Sequence, residues 1–238
     1  FMVGLGGGTA LEYMPGSLET IDVVEIEAEV VEANRLLSPL RRQDPLADPR
    51  IRVTLNDARS ALALTEKRYD LIISQPSHPW TPSGAHLYSY EFFEIARDHL
   101  REGGVLVQWM GLSFVDGELL KTLVATARSV FPFVRVHQPG RGAILLLASD
   151  EPLDLEANVE AAIANGPRVF PLLGVYRPED VAATLVLDDE AATRFAAGSE
   201  PSRDDLNVLQ WRSPQLMRGR EAAFDRESDP RFFGRENE

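Results

Sequence analysis

The chain has 238 residues, 44% of them hydrophobic, enough to bury a substantial core and fitting one domain or one domain with an appendage. Lys and Arg total 24 against 37 Asp and Glu, and the formal charge of −13 repels a phosphate backbone, so nucleic acid is not an expected partner. Cysteine is absent, which removes disulfides, thiolate nucleophiles and cysteine metal sites and fits a reducing compartment; no metal is expected.

The apolar stretch Phe1-Met2-Val3 reads as a first strand that ends in glycines, Gly6, Gly7 and Gly8. So short a strand before a glycine loop predicts that a native protein supplies residues upstream of Phe1. Thr20 to Glu25 reads as the second strand, Ala28 to Leu37 as a helix, Ile51 to Leu55 as the third strand and Ala58 to Leu64 as a second helix. The apolar run Tyr69 to Ser74 predicts a buried central strand with Gln75 at its carboxyl end. A proline-rich loop follows through Trp80, then a helix from Tyr90 to Leu100, a turn at Gly103-Gly104 and a strand from Val105 to Trp109. A helix over Gly117 to Ser129 leads to two strands, Phe133 to His137 and Ala143 to Ser149, that predict an antiparallel hairpin.

The fold class is therefore α/β, a Rossmann-like, mostly parallel sheet of seven strands with a terminal antiparallel hairpin. Residues 1–150 form the nucleotide-binding domain and 151–238 a helical and irregular extension. The charged stretch from Arg218 to Glu238 is expected to be disordered. The longest apolar runs, such as Ala143 to Ala148, are strand-sized and far below the roughly 20 residues that span a bilayer.

Open α/β folds bind ligands at the carboxyl ends of their strands, where this chain is expected to gather Gly6 to Gly8, Glu25, Asp57 and Gln75. Glycines admit close backbone approach, and a strand-end carboxylate can accept both hydroxyls of a ribose. Glu25 lies 17 residues past Gly8, a spacing that suits dinucleotide and nucleoside sites alike. Asp57 can accept from an adenine amino group while the Ala58 N–H donates to a ring nitrogen; a helix N-cap is the competing role for its side chain. Trp80 is placed either as a lid or in packing against the following helix, and His86 and His99 are weak candidates for chemistry.

The runs Gly4-Leu5-Gly6-Gly7-Gly8, Asp22 to Glu27, Asp48-Pro49-Arg50-Ile51, Asn56-Asp57-Ala58, Tyr69 to Ile73 and Gly103-Gly104-Val105-Leu106 resemble the spermidine synthase family in order and spacing. Asp204-Asp205 through Trp211-Arg212-Ser213-Pro214 further resembles bacterial members fused to membrane segments. The resemblance implies a fold of the S-adenosylmethionine-dependent methyltransferase type. The cosubstrate it implies is S-adenosylmethionine or its decarboxylated form, expected to be held by Gly4, Gly6, Gly7, Gly8, Thr9, Glu25, Ile26, Asp57 and Ala58. It also implies a small-molecule amine acceptor, a cytoplasmic domain with a membrane region upstream as the subgroup's variant, and a homodimer.

The sequence departs from that pattern where the chemistry occurs. Thr9, Gln75 and His78 stand where the resemblance implies three aspartates. Aminopropyl transfer needs a neutral amine to attack carbon beside a sulfonium, and glutamine can orient that amine without taking its proton. Gln75 and His78 are the catalytic candidates, His78 as base because imidazole titrates near neutral pH. Methyl transfer through the Ser74-Gln75-Pro76 motif is the rival activity, and a nucleotide-binding sensor or scaffold without turnover the other alternative.

Overall fold

The computed structural model describes residues 1–76, 79–165 and 169–219. The core elements in chain order are β1 (Met2–Val3), β2 (Ile21–Glu25), α1 (Ala28–Leu37), β3 (Ile51–Leu55), α2 (Ala58–Leu64) and β4 (Tyr69–Ser74). They continue with α3 (Pro82–Ala85), α4 (Tyr90–Asp98), β5 (Leu100–Gly111), α5 (Gly117–Val130), β6 (Phe133–Gly140) and β7 (Ala143–Ser149). The tail adds α6 (Glu156–Asn165), α7 (Pro178–Ala182), β8 (Leu185–Leu187), α8 (Asp189–Ala196) and α9 (Val208–Gly219). Of the stretch expected to be disordered, Arg218 and Gly219 end α9 and the remainder lies outside the described residues, as does His78. No described helix is long and apolar enough to cross a membrane.

Two compact units divide these elements. The first comprises Phe1–Thr65 and Asp154–Ala183. Its strands are parallel, with Met2 opposite Val23, and Ile21 through Glu25 opposite Ile51 through Leu55. β-Branched residues suit the pleated, buried centre of such a sheet, and Val23, Val24 and Val3 are buried there with Met2, Leu5 and Leu11. The Asp48-Pro49-Arg50 motif has a structural task. Asp48 accepts from the Arg50 backbone N–H at 2.9 Å and pairs with its guanidinium at 2.7 Å, while Arg50 Nη1 donates to the carbonyls of Pro15 and Leu18. Proline at the centre fixes this turn, which ties the loop ahead of β2 to the start of β3.

The second unit comprises Glu66–Leu153 and the chain from Thr184 onward. β4 and β5 are parallel, and β5–β7, β7–β6 and β6–β8 are antiparallel. The strands number eight rather than seven among the described residues, because β8, from the presumed irregular tail, pairs with β6 at Val136 and His137. Three of the pairings are antiparallel, so the β-structure is mixed rather than mostly parallel. The predicted helix through Leu100 stops at Asp98, and the predicted Gly103-Gly104 turn lies inside β5. Tyr69 pairs with Leu100 while Leu71 already pairs with Val105, so the intervening residues of β5 bulge. Gly103 takes a left-handed φ of +68° there, and a Cβ on Gly104 would lie 2.8 Å from the Arg101 carbonyl, which is why glycines that resemble a turn sit within a strand. α5 buries Leu119, Leu120, Leu123, Val124 and Ala127 and packs on α8, which buries Ala191, Ala192 and Phe195.

Candidate functional site

The first unit holds the predicted nucleoside residues, and their geometry centres on Glu25. β2 delivers this side chain to the glycine loop with only 6% of the residue exposed. Its Oε2 accepts from the Leu5 N–H at 2.8 Å and the Gly6 N–H at 3.4 Å, and Oε1 from Ile26 at 2.8 Å and Glu27 at 3.0 Å. Four backbone donors around one carboxylate stabilise its charge in a buried place. Glu25 thus organises the loop itself, a role the ribose reading did not include.

The loop leaves β1 through Gly4 at φ +82°, Gly6 at +51° and Gly8 at +70°, all in the left-handed region that glycine adopts at no steric cost. Sequence reasoning missed the side chains behind it. Asn34 of α1, 2% exposed, donates to the Gly6 carbonyl at 2.7 Å and to the Val30 carbonyl at 2.8 Å. Arg41 donates through Nη2 to the Gly7 carbonyl at 2.5 Å and to Asn34 Oδ1 at 2.7 Å, and through Nη1 to Glu12 at 2.5 Å. A Cβ on Gly8 would stand 2.5 Å from Asn34 Oδ1 and 3.2 Å from Arg41 Nη1, so the cluster and the glycine fit one another. Arg41 lies 34 residues beyond Gly7, outside any local motif, and no pattern in the sequence pairs the two.

Gly7 and Thr9 are exposed on the loop, and Ile26 is 56% exposed just past the end of β2. Asp57 caps α2, accepting from the Ser60 N–H at 2.7 Å through Oδ1, so the capping role is real. Ala58, the first residue of α2, is buried beside it.

In the second unit Gln75 follows the last residue of β4 and is partly exposed. Beneath it Ser74 and Gln108 face each other in register, both fully buried. The Tyr88 hydroxyl lies 3.1 Å from the Pro76 carbonyl and 3.2 Å from that of Trp109, holding the chain after Gln75 against β5. Burial pushes the Tyr88 phenol well above its ordinary value, partly offset by its hydrogen bond with Gln108, so it remains a protonated donor. Trp80 packs edge-on against Phe114, with ring centroids 5.0 Å apart, a partner in the segment after β5 rather than in the helix that follows Trp80. His86 is not isolated: its Nδ1 lies 2.9 Å from Asp204 Oδ1. His99 Nδ1 sits 2.8 Å from the Ile95 carbonyl within its own helix turn.

The family model described as the spermine/spermidine synthase domain matches residues 4–138. Polyamine aminopropyltransferase 1 of Pseudomonas aeruginosa is 34% identical over 132 residues, 55% of this chain and 46% of that protein. The polyamine aminopropyltransferase of Nitrosomonas europaea is 28% identical over 222 residues, 87% of this chain and 67% of its own. The chain spans about half the length of several such relatives. Among solved structures, a spermidine synthase in complex with the transition state analogue AdoDATO superposes with a TM-score of 0.64 at 22% identity, covering 82% of this chain and 68% of that one. Human methyltransferase-like protein 13 in complex with SAH gives 0.54 at 21% identity over 74% of this chain and 82% of its own. Both likenesses establish the α/β Rossmann-like methyltransferase fold. The matched segment runs from the glycine loop through Glu25, Asp57 and Gln75 into β6 and takes in more than half of the sequence, and the chain belongs to the spermine/spermidine synthase family.

Proposed function

We propose that this chain is the nucleoside-binding transferase portion of a spermidine synthase-like aminopropyltransferase, taking S-adenosylmethionine or its decarboxylated form as cosubstrate and an amine as acceptor. The observation that carries this reading is the carboxylate of Glu25 bonded to the backbone of the glycine loop at 2.8 Å, a pre-formed anchor of the kind a ribose requires. In the reaction an amine lone pair attacks the methylene beside the sulfonium. The carbon–sulfur bond breaks, methylthioadenosine leaves, and the new ammonium gives up a proton. Gln75 orients the amine by hydrogen bonding, and His78 is the candidate proton acceptor. Ile26 and the Asp57 Oδ2 serve the adenine. An upstream membrane region and a homodimer belong to the same reading, following the resemblance to membrane-fused members.

Methyl transfer is the second reading. The neutral Thr9 and Gln75 favour it, since neither replaces the carboxylates that grip a polyamine chain. Single-turnover reactions with each nucleotide and a panel of amines, followed by mass spectrometry, separate the two. Gln75→Asp should raise turnover in aminopropyl transfer by restoring a proton acceptor. It should lower turnover in methyl transfer by holding the acceptor as an ammonium. Equal, substantial activity in both forms would place Gln75 outside the chemistry.

A further inference from the structure

Ser74, opposite Gln108, is the last residue of β4 in register with β5. Gln75 then leads into Pro76, which has no N–H to give to a neighbouring strand. The Pro76 carbonyl is held by a side chain instead, the Tyr88 hydroxyl 3.1 Å away. That hydroxyl also lies 3.2 Å from the Trp109 carbonyl but has a single proton to donate. Gln108 Nε2 donates to the Trp109 carbonyl at 3.2 Å, whereas the Pro76 carbonyl has only Tyr88 among the described residues, so the proton is assigned to Pro76. Tyr88, Gln108 and Ser74 are all fully buried, and burial keeps the phenol protonated. Ser74 Oγ and Gln108 Oε1 have no hydrogen-bond partner there, so a polar cluster at this position costs stability and folding alone does not account for it.

We propose that Tyr88 is a positioning residue for the transfer reaction: by holding the Pro76 carbonyl it fixes the backbone of Gln75, and with it the direction from which the Gln75 amide meets the acceptor nitrogen. This rests on the reading that Gln75 orients the amine. A residue before proline is restricted to extended backbone, so Gln75 has little freedom once the β4 ladder holds Ser74 on one side and Tyr88 holds Pro76 on the other. Release of the Pro76 carbonyl returns that freedom. A misplacement of about 1 Å at a reacting group costs on the order of a hundredfold in rate, so a buried hydroxyl that touches no substrate can govern turnover.

Steady-state kinetics of Tyr88→Phe test this, with whichever of S-adenosylmethionine and its decarboxylated form, and whichever amine of the panel, the wild type turns over. Methylthioadenosine calorimetry runs alongside. The substitution keeps the ring and removes the hydroxyl. It should lower kcat about ten- to a hundredfold and leave methylthioadenosine affinity unchanged. Gln108→Met leaves Tyr88 in place but takes away the second donor to the Trp109 carbonyl; the hydroxyl is then drawn to that carbonyl, and part of the same kcat loss should appear. In a Gln75→Ala background Tyr88→Phe should have no further effect, because no amide is left to position. A kcat for Tyr88→Phe equal to that of wild type, or a loss that adds in full to that of Gln75→Ala, would overturn the proposal. A parallel loss of kcat and methylthioadenosine affinity would do the same, since it marks a merely structural role. If Tyr88→Phe does not fold, Gln108→Met in the two backgrounds carries the same comparison. Wild-type protein that turns over no amine with either nucleotide would overturn the transferase reading and take this inference with it.

Discussion

Replacing Glu25 with alanine tests the centre of the first unit, because one side chain organises the glycine loop and is the proposed ribose anchor. The mutation removes acceptors from four N–H groups, of which Leu5 is the deepest, bonded at 2.8 Å in a buried contact. An unsatisfied buried donor costs about 1–3 kcal/mol. The Ile26 and Glu27 N–H groups lie in part-buried bonds at the end of β2 and can regain water, so their share is smaller. The sum is about 2–4 kcal/mol, which for a chain of this size lowers the melting temperature by roughly 5–15 °C. Methylthioadenosine affinity should fall about ten- to a hundredfold, the worth of one charge-assisted hydrogen bond to a hydroxyl. Thermal melts and calorimetry on the same preparation read both effects. A variant that melts within about 1 °C of wild type would show that the loop does not depend on this carboxylate, and unchanged affinity would remove Glu25 from the site.

Gly8→Ala should destabilise by about 1–3 kcal/mol and weaken nucleoside binding, since its Cβ would stand 2.5 Å from Asn34 Oδ1 at a left-handed φ; a neutral melt would show that Asn34 and Arg41 yield freely. Asp57→Ser keeps a cap on α2, so stability should change by only a few tenths of a kcal/mol, while methylthioadenosine affinity falls about tenfold if Oδ2 meets the adenine. Equal affinity would leave Asp57 as a cap and nothing more. Asp48 is held below the usual carboxylate range, chiefly by its hydrogen bond with the Arg50 side chain. Its contribution to stability is therefore present above the unfolded value and lost as pH falls through the lower folded one. Melts of Asp48→Asn should lie below wild type at neutral pH and converge with it on acidification, and parallel acid limbs would contradict the pairing.

Sequence alone determined most of the first 75 residues, because their signals are local. Alternation of apolar residues, caps such as Asp57 and a glycine run act within a few positions, and α1, β3, α2 and β4 take the predicted bounds. The place of Glu25 was legible for the same reason: strand periodicity puts it at the end of β2. What it bonds to was not legible, since the Leu5 N–H lies 20 residues away in sequence. The Gly103-Gly104 pair shows the converse failure. Glycine signals a turn by its permissiveness, yet the same permissiveness serves a bulge, and only pairing with β4 decided between them. β8 is three residues long, too short to carry a periodic pattern, and becomes a strand because β6 offers it an edge. Arg41 belongs to the loop only in three dimensions. A buried guanidinium needs acceptors, and the fold supplied them from Gly7, Asn34 and Glu12, positions joined by the path of the chain rather than by any spacing along it.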